Sequence, residues 1–97
     1  MVQLQSRRRN MMSSIVHSLD VENANTFLNF LLTSGYGCEI SVYKKIFSMM
    51  LFNTYDEVIF SYDTDSDMFI LDFVRDSINS YLATNDGQEM VGIWMSQ

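Results

Sequence analysis

Proline is absent from this chain, and cysteine, glycine and basic residues are scarce: one Cys, four Gly and six Lys or Arg among 97 residues. Without proline, nothing in the sequence forces a long helix to break. Four glycines are few for a fold built from hairpins, which need turn residues at every reversal. Because Cys38 is the single cysteine, an internal disulfide and a cysteine zinc cluster are excluded, which is typical of a reducing compartment. These absences favour a mostly helical protein.

Basic charge is concentrated at the start of the chain. Arg7, Arg8 and Arg9 supply half of the basic residues, and twelve acidic residues bring the net charge to −6. Because the chain beyond residue 10 is this acidic, it repels a phosphate backbone, and nucleic acid is not an expected partner. We expect residues 1–10 to form a flexible basic N-terminus and residues 11–97 a single helical domain. Since no signal peptide and no apolar run of membrane-spanning length is visible, we expect an intracellular, cytoplasmic chain without a transmembrane anchor.

Apolar residues recur at helical spacing through the first half of the chain. A short helix is predicted from residue 11 to Asp20, which then caps a second helix that ends at Gly35 and Gly37. A third helix is predicted from Glu39 or Ser41 to residue 52. It is apolar nearly all round, and such a helix belongs in the middle of a bundle. The apolar positions of the second and third helices are Val21, Ala24, Phe27, Leu28, Leu31 and Leu32, and Ile40, Tyr43, Ile46, Phe47, Met50 and Leu51.

The second half predicts two more helices after an ambiguous segment. Residues 57–62 are rich in β-branched and aromatic residues, but a lone strand would have no partner, so an irregular or short helical connection is favoured there. A strong helix should follow Asp67 and stop at Gly87, because glycine tolerates the left-handed conformation that closes a helix. A short last helix should span 88–95. The expected fold class is therefore all-α, a small helical bundle around a central hydrophobic helix.

Residues that could carry chemistry are few. His17 has no ligand or carboxylate at a useful spacing, and Cys38 has no nucleophile motif around it. Asp63, Asp65 and Asp67 alternate like the first ligands of a calcium loop, but the glycine and the twelfth-position glutamate that such a loop requires are missing. The sequence therefore predicts no metal, no cofactor and no enzyme activity.

Two segments resemble homology motifs of the Bcl-2 family of apoptosis regulators. Residues 41–52 resemble the first motif, with Tyr43 in place of its tryptophan and Lys45 in place of its arginine, although Lys44 replaces its glycine. Residues 81–94 resemble the second motif. Residues 85–87 occupy the positions of its Asn-Gly-Gly, and Gln88 occupies the position where the motif usually has tryptophan. The resemblance implies a compact, viral-type homologue, truncated at the N-terminus.

The function that this resemblance implies is inhibition of apoptosis. The chain would hold the amphipathic helix of a pro-apoptotic protein in a hydrophobic surface groove, with Lys45 paired to that helix's aspartate. A homodimer is a companion prediction. The implied groove residues are Phe27, Leu28, Leu31, Tyr43, Lys45, Ile46, Met49 and Met50.

Two other functions are left open by the composition. The twelve acidic residues are compatible with an acidic regulatory protein that binds a basic surface of a host or transcription factor by charge mimicry. The many methionines are compatible with a structural subunit that has an obligate interface.

Overall fold

The computed structural model describes residues 16, 18–65 and 67–97. The predicted basic N-terminus and His17 lie outside these residues. So does most of the first predicted helix, and its four described residues, 16 and 18–20, are not helical.

The first helix, α1, spans Val21–Thr33 and confirms the sequence-based prediction at both ends. The carboxylate of Asp20 accepts a hydrogen bond of 2.8 Å from the backbone N–H of Asn23, which satisfies one of the free donors of the first turn. At the other end, Gly35 has a φ of 98°. The N–H groups of Gly35 and Tyr36 donate to the carbonyls of Leu32 and Leu31. This pairing is the Schellman motif, which needs a left-handed residue at the glycine position.

The central segment is a β-hairpin, so the predicted all-α bundle and its central helix are wrong. Strand β1 covers Gly37–Tyr43, and strand β2 covers Ile46–Phe52. They pair antiparallel, with Tyr43 opposite Ile46 and Gly37 opposite Phe52. Lys44 and Lys45 form the turn with φ of 50° and 67°. Positive φ at both central residues defines the tight turn that matches the twist of two antiparallel strands.

A third strand, β3, spans Val58–Thr64 and pairs antiparallel with β2. The predicted irregular or short helical connection is therefore wrong, because β2 supplies the partner strand that a helix over residues 41–52 could not. The carboxamide of Asn53 shapes the reversal, accepting hydrogen bonds from the N–H groups of Tyr55 and Glu57. Within the described part of the chain the sheet has three strands in the order β1-β2-β3, with β1 and β3 at its edges.

Two helices complete the chain, α2 over Ile70–Tyr81 and α3 over Asn85–Met95. Thr84 caps α3, accepting from the N–H of Gly87 at 2.9 Å. Gly87 is therefore not the predicted helix stop but a buried residue of the first turn of α3. A Cβ built on it would collide with the carbonyl oxygen of Tyr81. Glycine is required here by the close approach of two backbones.

The hydrophobic core lies between the helices and one face of the sheet. The ring of Phe73 in α2 is 5.3 Å from that of Phe47 in β2 and 6.0 Å from that of Tyr62 in β3, measured between centroids. The architecture is thus a helical layer on a three-stranded antiparallel sheet. None of the described helices is long and apolar enough to cross a membrane. The fully buried side chains include Ala24, Phe27, Leu31, Met49, Leu51, Phe73, Ile78 and Tyr81.

Candidate interaction surface at the sheet edge

Strand β1 is the most exposed helix or strand in the part of the chain that the structure describes. Its residues 39–43 are all exposed on both faces of the strand. Three of them are large and apolar: Ile40 is 40% exposed, Val42 is 56% exposed and Tyr43 is 69% exposed. Among the described residues, no other strand pairs with its outer edge. An edge of this kind presents a row of free N–H and C=O groups between apolar side chains.

The exposure of Ile40 and Val42 arises because the helical layer stops short of β1. Ile40 is directly opposite Met49, and Val42 is directly opposite Phe47. Directly opposed residues share a face of the sheet, so Ile40 and Val42 point to the side that carries the helices. Met49 is nevertheless fully buried while Ile40 is not. The margin of the core therefore runs between β1 and β2.

The opposite edge of the sheet, β3, carries the features that protect an edge strand from pairing. A bulge interrupts its register, since Phe52 pairs with Val58 and Leu51 with Phe60. Asp63 is exposed near its end, and Asp65 follows. Bulges and exposed charges both oppose the addition of another strand. The two edges are therefore not equivalent.

Charge is distributed unequally along β1. Lys44 and Lys45 lie at the hairpin tip, where the ammonium of Lys44 is 5.4 Å from the centre of the Tyr43 ring. The ammonium of Lys45 is 3.7 Å from the carboxylate of Asp67, with both side chains largely exposed, so this pair contributes little to stability. At the other end, Glu39 and Asp56 border one shallow cavity of about 320 Å³. The strand is thus basic at its C-terminal end and acidic near its N-terminal end.

Cys38 lies at the acidic end of β1 and is half-buried. Burial raises the pKa of its thiol, and the charge of Glu39 raises it further. Because the thiolate is the reactive form, this environment keeps the residue unreactive. Among the described residues, no three His, Cys, Asp or Glu side chains group together in a way that could hold a metal ion.

The eight residues implied by the Bcl-2 resemblance do not lie along one groove. Phe27, Leu31 and Met49 are fully buried in the core, and Leu28 is half-buried beside them. Tyr43, Lys45 and Ile46 lie at the hairpin tip. Met50 lies on the face of the sheet away from the helices, because Met49 and Met50 point to opposite sides. Capture of a pro-apoptotic helix stays a prediction. The central helix that was expected to line the groove is a β-hairpin in the structure.

The sequence contains an alternating pattern that is typical of these strands, but the same residues also fit helical spacing. Cys38, Ile40 and Val42 alternate with polar residues, as do Phe47, Met49 and Leu51 in part. Alternation of this kind is typical of strands with one buried face. Lys44-Lys45 is not a recognised turn sequence, so the residues between the two strands give no hairpin signal of their own.

Comparison of the chain with protein-family models, curated proteins and solved structures finds no match.

Proposed function

We propose that this protein is an interaction module that pairs the outer edge of β1 with β1 of a second copy. The observation that carries the proposal is the exposed apolar strand edge at residues 39–43, beside a protected edge at β3. Strand addition gains main-chain hydrogen bonds and covers the alternate side chains of the strand. Burial of each half-exposed Ile40 or Val42 side chain contributes on the order of 1 kcal/mol.

A second copy is the favoured partner because β1 is complementary to itself in antiparallel pairing. A two-fold axis at Ser41 places Ile40 beside Val42 of the other copy on the helix-facing side. It also brings Lys44 and Lys45 of one copy alongside positions 37 and 38 of the other. Those positions adjoin Glu39 and Asp56, so the basic tip of each copy meets the acidic end of its partner. A two-fold interface forms each such contact twice.

Substitution of matched valines on the two edges tests the proposal. Val42 in β1 is 56% exposed and Val58 in β3 is 54% exposed, so lysine should be tolerated by the isolated chain at either position. Val42→Lys should weaken dimerisation at least tenfold, which corresponds to about 1.4 kcal/mol, because each dimer would enclose two additional ammonium groups. Val58→Lys should dimerise like the unmodified chain.

The association state is measured by sedimentation velocity and light scattering, at chain concentrations from low micromolar to several hundred micromolar. Hydrogen exchange at low and high concentration should show amides of β1 becoming protected as the dimer forms. A chain that stays monomeric throughout, or a dimer that Val58→Lys dissociates and Val42→Lys does not, would overturn the proposal.

A further inference from the structure

Two carboxamide side chains bind the main chain of the segment before α1. The Oδ1 of Asn79 accepts from the N–H of Leu19 at 2.7 Å, and its Nδ2 donates to the Leu19 carbonyl at 3.0 Å. The Oε1 of Gln88 accepts from the N–H of Val16 at 3.2 Å, and its Nε2 donates to the Val16 carbonyl at 2.6 Å. Each carboxamide thus satisfies both backbone polar groups of one residue.

This arrangement matches the chemistry of an extended peptide. A carboxamide carries an acceptor and a donor side by side in one plane, as the backbone of an extended residue does. Val16 and Leu19 are three residues apart, and residues at this spacing lie on the same side of an extended polyproline II segment, which has three residues per turn. Because all four bonds go to the backbone, they select a main-chain conformation and not a side-chain sequence.

The spacing between the two carboxamides is fixed by the corner between α2 and α3. Asn79 belongs to α2 and Gln88 to α3. The Nε2 of Gln88 also donates to the carbonyl of Leu82 at 2.7 Å, which holds the side chain in place. A cavity of about 350 Å³ adjoins both carboxamides and is lined further by Leu82, Ala83, Thr84 and Asn85. This cavity gives space for the side chains of a bound peptide.

We propose that Asn79 and Gln88 form a binding site for the main chain of an extended peptide. The main chain of Val16 and Leu19 occupies the site in cis, and a peptide supplied in trans can displace it. The cis segment is held by neutral hydrogen bonds, which replace bonds to water and contribute little net stability each, and by partial packing of Val16 and Leu19 against the core. Its advantage is the tether to α1, which gives it an effective concentration on the order of millimolar. Weakening the cis segment should therefore open the site.

A labelled peptide with the sequence of residues 13–20, capped at both ends, tests the exchange on the full chain. Leu19 is partly buried against the core, so Leu19→Ala removes an apolar anchor of the cis segment. We expect at least tenfold tighter peptide binding by the Leu19→Ala chain than by the unmodified chain, measured by fluorescence anisotropy. Adding Asn79→Leu to Leu19→Ala should abolish binding, whereas adding Asn29→Leu on the exposed side of α1 should leave it unchanged.

Hydrogen exchange of the unmodified chain provides a second measurement if Leu19→Ala does not fold, and Val16→Ala provides a second variant. The amides of Val16 and Leu19 should be protected, with Asn79→Leu releasing Leu19 and Gln88→Leu releasing Val16. Amides within α1 should stay protected in both variants. Free exchange at Leu19 in the unmodified chain would overturn the site. Protection there, without peptide binding by either weakened chain, would overturn displacement in trans.

Discussion

The hydroxyl of Tyr81 donates a hydrogen bond of 2.5 Å to the carboxylate of Asp86, across the corner between α2 and α3. The hydroxyl of Tyr36, in the connection from α1 to β1, reaches the same carboxylate at 3.2 Å. A single acidic side chain in the first turn of α3 therefore joins three parts of the chain. Hydrogen bonds to an ionised acceptor are stronger than neutral ones, so this carboxylate fixes the corner firmly.

This network should make stability fall at alkaline pH. Burial, reinforced by the hydrogen bond and charge of Asp86, raises the pKa of Tyr81, and burial and Asp86 also raise the pKa of Tyr36. Above pH about 10 the unfolded phenols lose their protons while the native ones keep them, so the stability present below that pH declines as the pH rises. Tyr81 accounts for up to about 1.4 kcal/mol per pH unit in this range, and the more exposed Tyr36 accounts for less because solvent screens it.

Tyr81→Phe removes one of these groups. Urea unfolding at a series of pH values above about 9 should show a shallower decline for the variant than for the unmodified chain, although it is less stable near neutrality. Identical slopes would contradict the assignment of the decline to Tyr81.

Gly87 and Gly92 form a matched pair within α3. A Cβ at position 87 would meet the carbonyl group of Tyr81 and lie 3.0 Å from the Cα of Leu82, whereas a Cβ at position 92 meets nothing within 4 Å. Gly87→Ala should cost about 3 kcal/mol or more, since backbone must move. Gly92→Ala should stabilise by about 0.4–1 kcal/mol, because alanine favours the helix. Equal effects in thermal unfolding would contradict the close approach at Gly87.

The hairpin turn stores conformational strain in two lysines. Lys44 and Lys45 both have positive φ, which costs an ordinary residue about 1–2 kcal/mol relative to glycine. Replacing them with Asn-Gly should stabilise the chain by about 1–2 kcal/mol in urea unfolding at a concentration where it is monomeric. The control is the Ala-Ala replacement, which should give no gain. A loss of stability with Asn-Gly would contradict the turn geometry.

Charge reversal tests the antiparallel orientation of the proposed dimer. Lys45→Glu and Glu39→Lys should each weaken dimerisation, by about 0.5–1 kcal/mol for each of the two symmetry-related pairs at low salt. The double variant should recover most of the affinity, because the exchanged charges again meet their opposites. In a Val42→Lys chain, Lys45→Glu should have little further effect. A double variant weaker than both single ones would contradict this orientation.

Met49 and Met50 are adjacent in β2 and both belong to the groove residues implied by the Bcl-2 resemblance, but the structure places them on opposite faces of the sheet. Met49 is fully buried in the core, whereas Met50 is half-buried on the other face of the sheet. Met49→Ala should cost about 2–5 kcal/mol through the cavity it leaves. Met50→Ala should cost less than about 1 kcal/mol. Similar losses in both variants would contradict the register of the sheet.

The helices could be predicted from the sequence because their signals are local. Asp20 caps α1 and Gly35 ends it as expected, and a helix follows Asp67 as predicted, with Phe73, Val74 and Ile78 on its buried face. Such signals depend on residues within one or two turns of each other. The predicted first residue was less accurate for α2, because this helix begins at Ile70 and no side chain caps it.

The sheet could not be predicted because its signals are ambiguous or distant. Residues 40–51 satisfy both helical and alternating spacing, and only the turn decides between them. That turn is formed by two lysines in a conformation that favours glycine and asparagine. When residues 46–52 are predicted to be helical, residues 58–64 have no strand to pair with, so β3 cannot be predicted either. Val42 is exposed because the helical layer does not reach β1. The extent of that layer depends on tertiary packing and is not visible in a single sequence.

The bulge and the acidic side chains at β3 limit what self-association can build. If both rims of the sheet accepted a neighbour, copies would add without end and produce fibrous aggregates. In the proposed dimer, pairing consumes the β1 rim of each copy, and among the described strands Asp63 and the irregular register of β3 oppose a further addition. We therefore expect association to stop at two chains and concentrated solutions to remain free of filaments.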